Sequence, residues 1–345
     1  MRSFRVDTDR LGMQVYESGP EDGIPVVLLH GNLSTGRFYE HLFADAPERY
    51  RLIAPDMRGF GDTDRAPLDA TRGLRDWADD THALLRALGI DAPPHLAGWS
   101  TGGAAIAHYA LEHGPVASLT FIDPVSPYGF GAVKLDGTPH FDDFAGSGGG
   151  TGNPEFTARL AAGDRSAEGD TAPRNVLNTS YWRIGHKEPP EREELLLDEV
   201  LKSLTGDDGY PGDSGTSEHW PGVAPGTRGI LNALSPKYCR WAGIVDLDPK
   251  PPILWTHGAR DVVVADGSPW ELGTLGSLGA VPGWPGAEAF PPQPMVTQIR
   301  AVLDEYAARG GTVEATIYED SGHFPPLDAR ERWTRQFFAF LEASS

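Results

Sequence analysis

One cysteine, Cys239, occurs among 345 residues. No disulfide can form within the chain, and nothing in it calls for an oxidising compartment. Basic residues are scarce: 29 Lys and Arg stand against 49 Asp and Glu, a formal net charge of −20. That balance repels a phosphate backbone, and no local Lys/Arg cluster offsets it, so nucleic acid is not an expected partner. Long apolar runs are also missing. No window approaches the roughly 18 uncharged apolar residues of a membrane span. The opening Met1-Arg2-Ser3-Phe4-Arg5-Val6-Asp7 has no apolar stretch of the kind a signal peptide requires. These absences predict a cytoplasmic protein with no membrane partner; they leave the oligomeric state open.

What is present suits a large folded unit. Hydrophobic residues make up 39% and aromatics 10%, enough for a sizeable core and too many for a disordered chain. The length exceeds what one core usually supports, which predicts either two domains or one domain with a substantial insertion. The outer thirds alternate two patterns. Apolar runs without polar alternation, at residues 24–29, 50–54, 95–98, 117–122, 252–256 and 312–318, suit strands covered on both faces. Between them lie amphipathic helical patterns: Trp77, Leu84, Leu85 and Leu88 before Gly89; Val296, Ile299, Val302, Leu303 and Tyr306 before Gly310; and a closing Trp333, Phe337, Phe338, Leu341. Strands alternating with helices imply a mostly parallel sheet.

The middle breaks this rhythm. Residues 125–245 are too long for a connection and read as an inserted cap, with a charged helix candidate at residues 190–203. Its Gly/Asp-rich opening, which contains Gly146-Ser147-Gly148-Gly149-Gly150, reads as a flexible surface loop. A second insertion, residues 262–294, holds Trp270 and Trp284, shows no periodicity and is expected to be irregular. Both insertions leave the sheet from strand C-termini, where open α/β sheets place their ligands.

The sharpest chemical feature is Gly98-Trp99-Ser100-Thr101-Gly102-Gly103, between a strand candidate and a helix candidate. A serine presented on a tight strand-to-helix turn needs a strained backbone, and glycines on either side remove Cβ atoms that would clash. Such a serine needs a base and a carboxylate to orient it. Asp261, just past one buried strand, and His323, just past the last, complete the chain order Ser100…Asp261…His323. His30-Gly31-Asn32 ends the first buried strand, where a sharply opening backbone can aim an N–H at an oxyanion together with that of Thr101. Asp56 and Arg58, after the next strand, read as a loop whose two charges pair with each other. His82, His108 and His113 read as packing or surface residues, and His257 has no evident role. No His-Glu-x-x-His or Cys/His cluster points to a metal, and no cofactor motif is present.

These motifs, in this order, resemble the α/β-hydrolase family. The resemblance rests on His30-Gly31, Pro55-Asp56…Arg58-Gly59-Phe60-Gly61, the Gly98–Gly102 turn, Gly258…Asp261 and Gly322-His323, and covers residues 1–124 and 246–345. It implies an eight-stranded, mostly parallel sheet with helices on both faces and a mainly helical cap at residues 125–245. It also implies a triad of Ser100, Asp261 and His323, with oxyanion N–H groups from Asn32 and Thr101. Leu33 stands where haloalkane dehalogenases and epoxide hydrolases commonly have proline, and Ser100 excludes their aspartate nucleophile. The 62-position separation of acid and base is long for the family, a length the second insertion supplies. Asp123, after the preceding strand, is a rival acid, because some members place theirs there. The expected function is hydrolysis of a carboxylic ester or lactone through an acyl-enzyme, with acyl transfer, C–C bond hydrolysis and non-catalytic ligand binding as alternatives. Tyr128, Phe130, Trp182, Trp220, Trp270 and Trp284 are expected to wall an apolar pocket.

Overall fold

Strands buried on both faces have no exposed side to decorate with polar residues, and five of the six apolar runs behave accordingly; the sixth, at the sheet edge, leaves Glu314 and Ala315 exposed. In the computed structural model, which describes residues 1–345, the strands are β1 (Arg2–Asp7), β2 (Gly12–Ser18), β3 (Ile24–Leu29), β4 (Tyr50–Pro55), β5 (His95–Trp99), β6 (Ser118–Ile122), β7 (Ile253–Gly258) and β8 (Val313–Tyr318). Every residue of β4, β5, β6 and β7 is buried. The eight form one sheet in the order β1-β2-β4-β3-β5-β6-β7-β8. Pairing is antiparallel at β1–β2 and β2–β4 and parallel from β4 to β8. The apolar runs locate six strands to within two residues. They miss β1, where Phe4 and Val6 alternate with Arg5 and Asp7 on an exposed edge and only Val6 is buried, and they miss its hairpin partner β2.

Helices cover both faces, as parallel crossovers require. After α1 (Glu40–Asp45) come α2 (Arg75–Ala87) and α3 (Thr101–Glu112). Trp77, Leu84 and Leu85 of α2 are buried, and the chain leaves it through Gly89 at φ 67, the left-handed exit glycine favours. Between β6 and β7 lie α4 (Pro154–Ala161), α5 (Pro173–Ser180), α6 (Pro190–Leu201) and α7 (Ile230–Ala233), with two small two-stranded ribbons. α4, α5 and α6 each begin on proline, whose missing N–H would have no helical partner there anyway. The second insertion is not wholly irregular: it contains α8 (Leu272–Ser277), whose first N–H groups are taken by the Glu271 side chain. α9 (Met295–Ala308), α10 (Pro325–Asp328) and α11 (Arg330–Ala343) complete the chain.

Two readings of the sequence are corrected. The glycine run is not a flexible surface loop, because Ala145, Gly146, Ser147, Gly148 and Gly149 are all buried. A Cβ on Gly148 would stand 2.4 Å from Asn232 Oδ1, and one on Gly149 would stand 2.2 Å from the Asp213 carbonyl oxygen. Glycine serves close packing there. Asp56 and Arg58 do not pair with each other. The Asp56 carboxyl accepts the N–H groups of Gly36 and Asp62, both at 2.9 Å. Arg58 turns instead to Asp80 on α2, at 2.8 and 2.9 Å. Burial pushes the Asp56 carboxyl up to about 7 despite the two N–H groups that favour its charge.

Asp56 therefore ties the loop after β3 to the loop after β4. Asp56→Ala leaves the buried Gly36 N–H and the partly buried Asp62 N–H without acceptors, and a loss on the order of 2 kcal/mol in urea unfolding is expected; a midpoint equal to wild type would show that the loops hold without it.

Candidate active site

Trp99 ends β5 and Thr101 begins α3, so a single residue, Ser100, makes the whole turn between strand and helix. Its backbone sits at φ 54, ψ −112, a region that costs a side-chain-bearing residue about 1–3 kcal/mol and persists only where the surroundings enforce it. They do so on both sides. The Ser100 N–H donates to Ile122 O at 2.9 Å, and its carbonyl accepts Gly103 N–H at 3.0 Å and Val125 N–H at 3.1 Å. A Cβ on Gly98 would lie 2.2 Å from Gly102 O, and one on Gly102 would lie 2.4 Å from Leu29 O.

The loop after β3 comes close to the same point, since a Cβ on Gly31 would stand 3.3 Å from Ser100 Cβ. His30 is the buried anchor of this loop. Its Nε2 accepts Met57 N–H at 2.9 Å and its Nδ1 meets Gly31 O at 2.7 Å. Burial lowers its pKa to about 4, so the ring stays neutral. Leu33 takes φ 50. The Tyr181 hydroxyl, arriving from the inserted segment, donates to Leu33 O at 2.7 Å and lies 3.3 Å from Asn32 O. Neither the Asn32 nor the Thr101 N–H has an acceptor among the turn and loop hydrogen bonds.

His323 and Asp261 meet from loops 62 residues apart: Nδ1 of the ring lies 2.7 Å from Asp261 Oδ2. The other oxygen, Oδ1, accepts the N–H groups of Val263 (2.7 Å) and Val264 (3.1 Å). Burial works against the Asp261 charge, but His323, His257 and the Val263 N–H outweigh it and hold this carboxyl below the usual range. With Nδ1 committed to the carboxylate, Nε2 is the ring nitrogen left for chemistry. Trp99 steadies the ring, donating its indole N–H to His323 O at 2.7 Å. Asp328 steadies the loop, accepting Gly322 N–H and, from the inserted segment, Arg183 N–H, both at 2.8 Å. The rival acid Asp123 is elsewhere engaged. It accepts Gly258 N–H at 2.8 Å and makes no hydrogen bond to His323.

Ser100, His323, Asn32 and Thr101 all line one cavity of about 410 Å³, within the range of small-molecule sites. Its remaining wall comes from the inserted segment and the loop after Asp261. No lysine or arginine lines it, and Asp170, exposed at the rim, is its one carboxylate. Of the six aromatics expected at the pocket, Phe130 and Trp270 line it. Trp182 is buried beside Tyr181 and His186. Trp220 packs on Phe290, Trp284 bonds Phe290 O, and Tyr128 lies under the Arg240 guanidinium. Sequence reading missed Tyr181 and Asp328, which act on backbone carbonyls and N–H groups that no motif records. The neighbouring Trp182 drew attention by size, whereas the hydroxyl of Tyr181 makes the contact.

Comparison with known proteins places these features in context. A sequence profile described as alpha/beta hydrolase fold matches residues 24–147. The chain is 39% identical over 110 residues to a cis-3-alkyl-4-alkyloxetan-2-one decarboxylase of Xanthomonas campestris, covering 30% of this chain and 36% of that protein. It is 35% identical over 135 residues to a non-heme chloroperoxidase of Streptomyces lividans, covering 36% and 47%. The match thus spans less than half the length of these relatives. A solved esterase structure from Rhodococcus sp. ECU1013 superposes over 100% of both chains with a TM-score of 0.61 at 20% identity, a likeness of fold.

The packing at Gly98 yields a test that needs no substrate. Gly98→Ala forces a backbone to move and should lower the unfolding free energy by about 3 kcal/mol or more. Gly89→Ala, which meets nothing within 4 Å, should lose about 1 kcal/mol from its positive φ alone. Equal losses in urea unfolding would show that space at Gly98 does not hold the turn.

Proposed function

We propose that the chain is an α/β-hydrolase, as its match to that fold's profile over residues 24–147 and its relatives support, and that it is a serine hydrolase cleaving an uncharged carboxylic ester or lactone through an acyl-enzyme on Ser100. The observation that carries this reading is the 2.7 Å contact of His323 Nδ1 with the buried Asp261 carboxylate, in the same cavity wall as a strained serine. Asp261 holds the imidazole in the tautomer whose Nε2 is bare. Nε2 takes the proton from Ser100 Oγ as the oxygen attacks the carbonyl carbon, and later returns it to the leaving alcohol. The Asn32 and Thr101 N–H groups face the oxyanion of the tetrahedral intermediate, where preorganised donors matter most. Water, deprotonated by the same ring, then releases the acid.

The cavity supports the substrate class. An acyl group or leaving group carrying a carboxylate or phosphate would be buried with no cation to meet it, a cost of several kcal/mol. Apolar surface from Phe130, Phe156, Leu234 and Trp270 suits a medium-length or aromatic neutral group. No helix is long and apolar enough to cross a membrane. The single cysteine is free and buried, which fits a cytoplasmic enzyme acting on a small molecule.

Ser100→Ala should abolish turnover and labelling by a fluorophosphonate while leaving unfolding unchanged; an unaltered rate on a chromogenic ester would refute the mechanism. Asp261→Asn should lower kcat roughly 10⁴-fold. Among chromogenic esters, neutral medium-chain or aromatic acyl groups should exceed in kcat/KM both acetate and the same chains ending in a carboxylate. A preference for acetate or for the charged series would contradict the pocket as described.

A further inference from the structure

Asp261 has a second carboxyl close by that the mechanism leaves idle. Asp123, fully buried, follows β6 at φ 40, a strained position for a residue that only fills space. Its Oδ1 accepts Gly258 N–H at 2.8 Å, and its Oδ2 is buried without a partner. His257, the penultimate residue of β7, lies between the two acids: its Nδ1 is 3.5 Å from Asp123 Oδ1 and its Nε2 is 3.7 Å from Asp261 Oδ2. Donor atoms of all three lie within 4.8 Å of one another.

Proton placement follows from what each atom touches. His257 Nε2 lies 3.0 Å from Val264 O. A carbonyl only accepts, so Nε2 carries the hydrogen. Burial lowers the His257 pKa and keeps the ring neutral, which leaves Nδ1 a bare lone pair, also buried and unpartnered. Asp261 is the charged member, committed to His323 and to two N–H groups. Asp123 Oδ2 and His257 Nδ1 are thus two unsatisfied acceptors beside a carboxylate. The other titratable groups acting on Asp123 are Asp261 and, farther off, Asp328 of α10; no lysine or arginine pairs with it. A metal ion on the three would have to compete for lone pairs that His323 and the N–H groups of Val263, Val264 and Gly258 already use.

We infer that Asp123 is held as the neutral acid, that its carboxyl proton is turned toward the neighbouring Asp261 carboxylate, and that it is thereby a positioning residue for the triad carboxylate. One proton on the Asp123 carboxyl removes a like charge from beside Asp261. The direction of the titration agrees: burial first, then the Asp261 charge, drives the Asp123 carboxyl far above its ordinary range. The inference rests on Asp261 as the acid of the proposed hydrolase.

The sign of the pH dependence provides a test independent of activity. If Asp123 is neutral when folded and ionised when unfolded, folding takes up a proton at any pH above the ordinary carboxyl range. Asp123→Asn keeps the shape, an acceptor for Gly258 and a donor, tolerates positive φ, and needs no proton. Its urea midpoint should match wild type near pH 4 and exceed it increasingly toward pH 7, by a factor approaching ten in the unfolding constant per pH unit. A difference that is constant with pH, or one that turns against the variant as pH rises, would overturn the inference.

Kinetics separate positioning from acid catalysis. Asp123→Asn should recover most of the kcat/KM that Asp123→Ala loses, and should leave the acid limb of the pH profile in place. A collapse like that of Asp261→Asn would make Asp123 the acid, and a downward shift of the acid limb would show that a negative charge had been removed. Absence of turnover in wild type would sink the hydrolase reading and leave the unfolding result standing.

Discussion

The centre of this molecule is held by backbone pressed against backbone. Gly98 faces Gly102 O, and Gly102 faces Leu29 O, at separations that no side chain survives. This contact lets α3 start immediately after β5 and puts Ser100 in a conformation it would not otherwise adopt. The same contact brings the loop after β3 against the serine. The positions of Ser100, Thr101, Asn32 and the cavity floor therefore follow from one steric constraint at the centre of the sheet. Strain at that point is sustained by the surrounding sheet.

The sheet solves a second problem, bringing an acid and a base from distant parts of the chain to adjacent strand ends. β6, β7 and β8 are neighbours, so the residues just past each of them, Asp123, Asp261 and His323, arrive together without further design. Convergence on one edge explains both the Asp261–His323 contact and the second carboxyl beside it. Two acids within a few ångströms are electrostatically expensive unless one is neutral, and His257 occupies the position from which both can be balanced.

Much of this is legible in the residues. Both-face burial leaves continuous apolar runs, so β3 to β7 could be placed from the chain alone, β8 following from its short apolar stretch at the edge, and Gly98…Gly102 announced the turn because steric demands leave a compositional trace. Asp261 and His323 could be named by order along the chain. What stayed hidden depends on partners chosen across space. Arg58 pairs with Asp80 and not with Asp56, because neighbours two apart in a loop point in different directions. The Gly146–Gly150 segment looked mobile by composition, yet its glycines mark packing. The Tyr181 hydroxyl and the empty lone pairs of Asp123 and His257 are features of the assembled fold, and no local pattern encodes them.

The Asp328 carboxylate receives N–H groups from both Arg183 of the inserted segment and Gly322 of the His323 loop. A Cβ on Gly322 would stand 2.3 Å from the Arg183 nitrogen. The inserted segment is thus hydrogen-bonded to, and packed against, the loop that carries His323 at that end. The exposed residues of the cavity wall are Asn153, Asp170 and Thr179 on the inserted segment and Pro269 and Trp270 on the loop after Asp261.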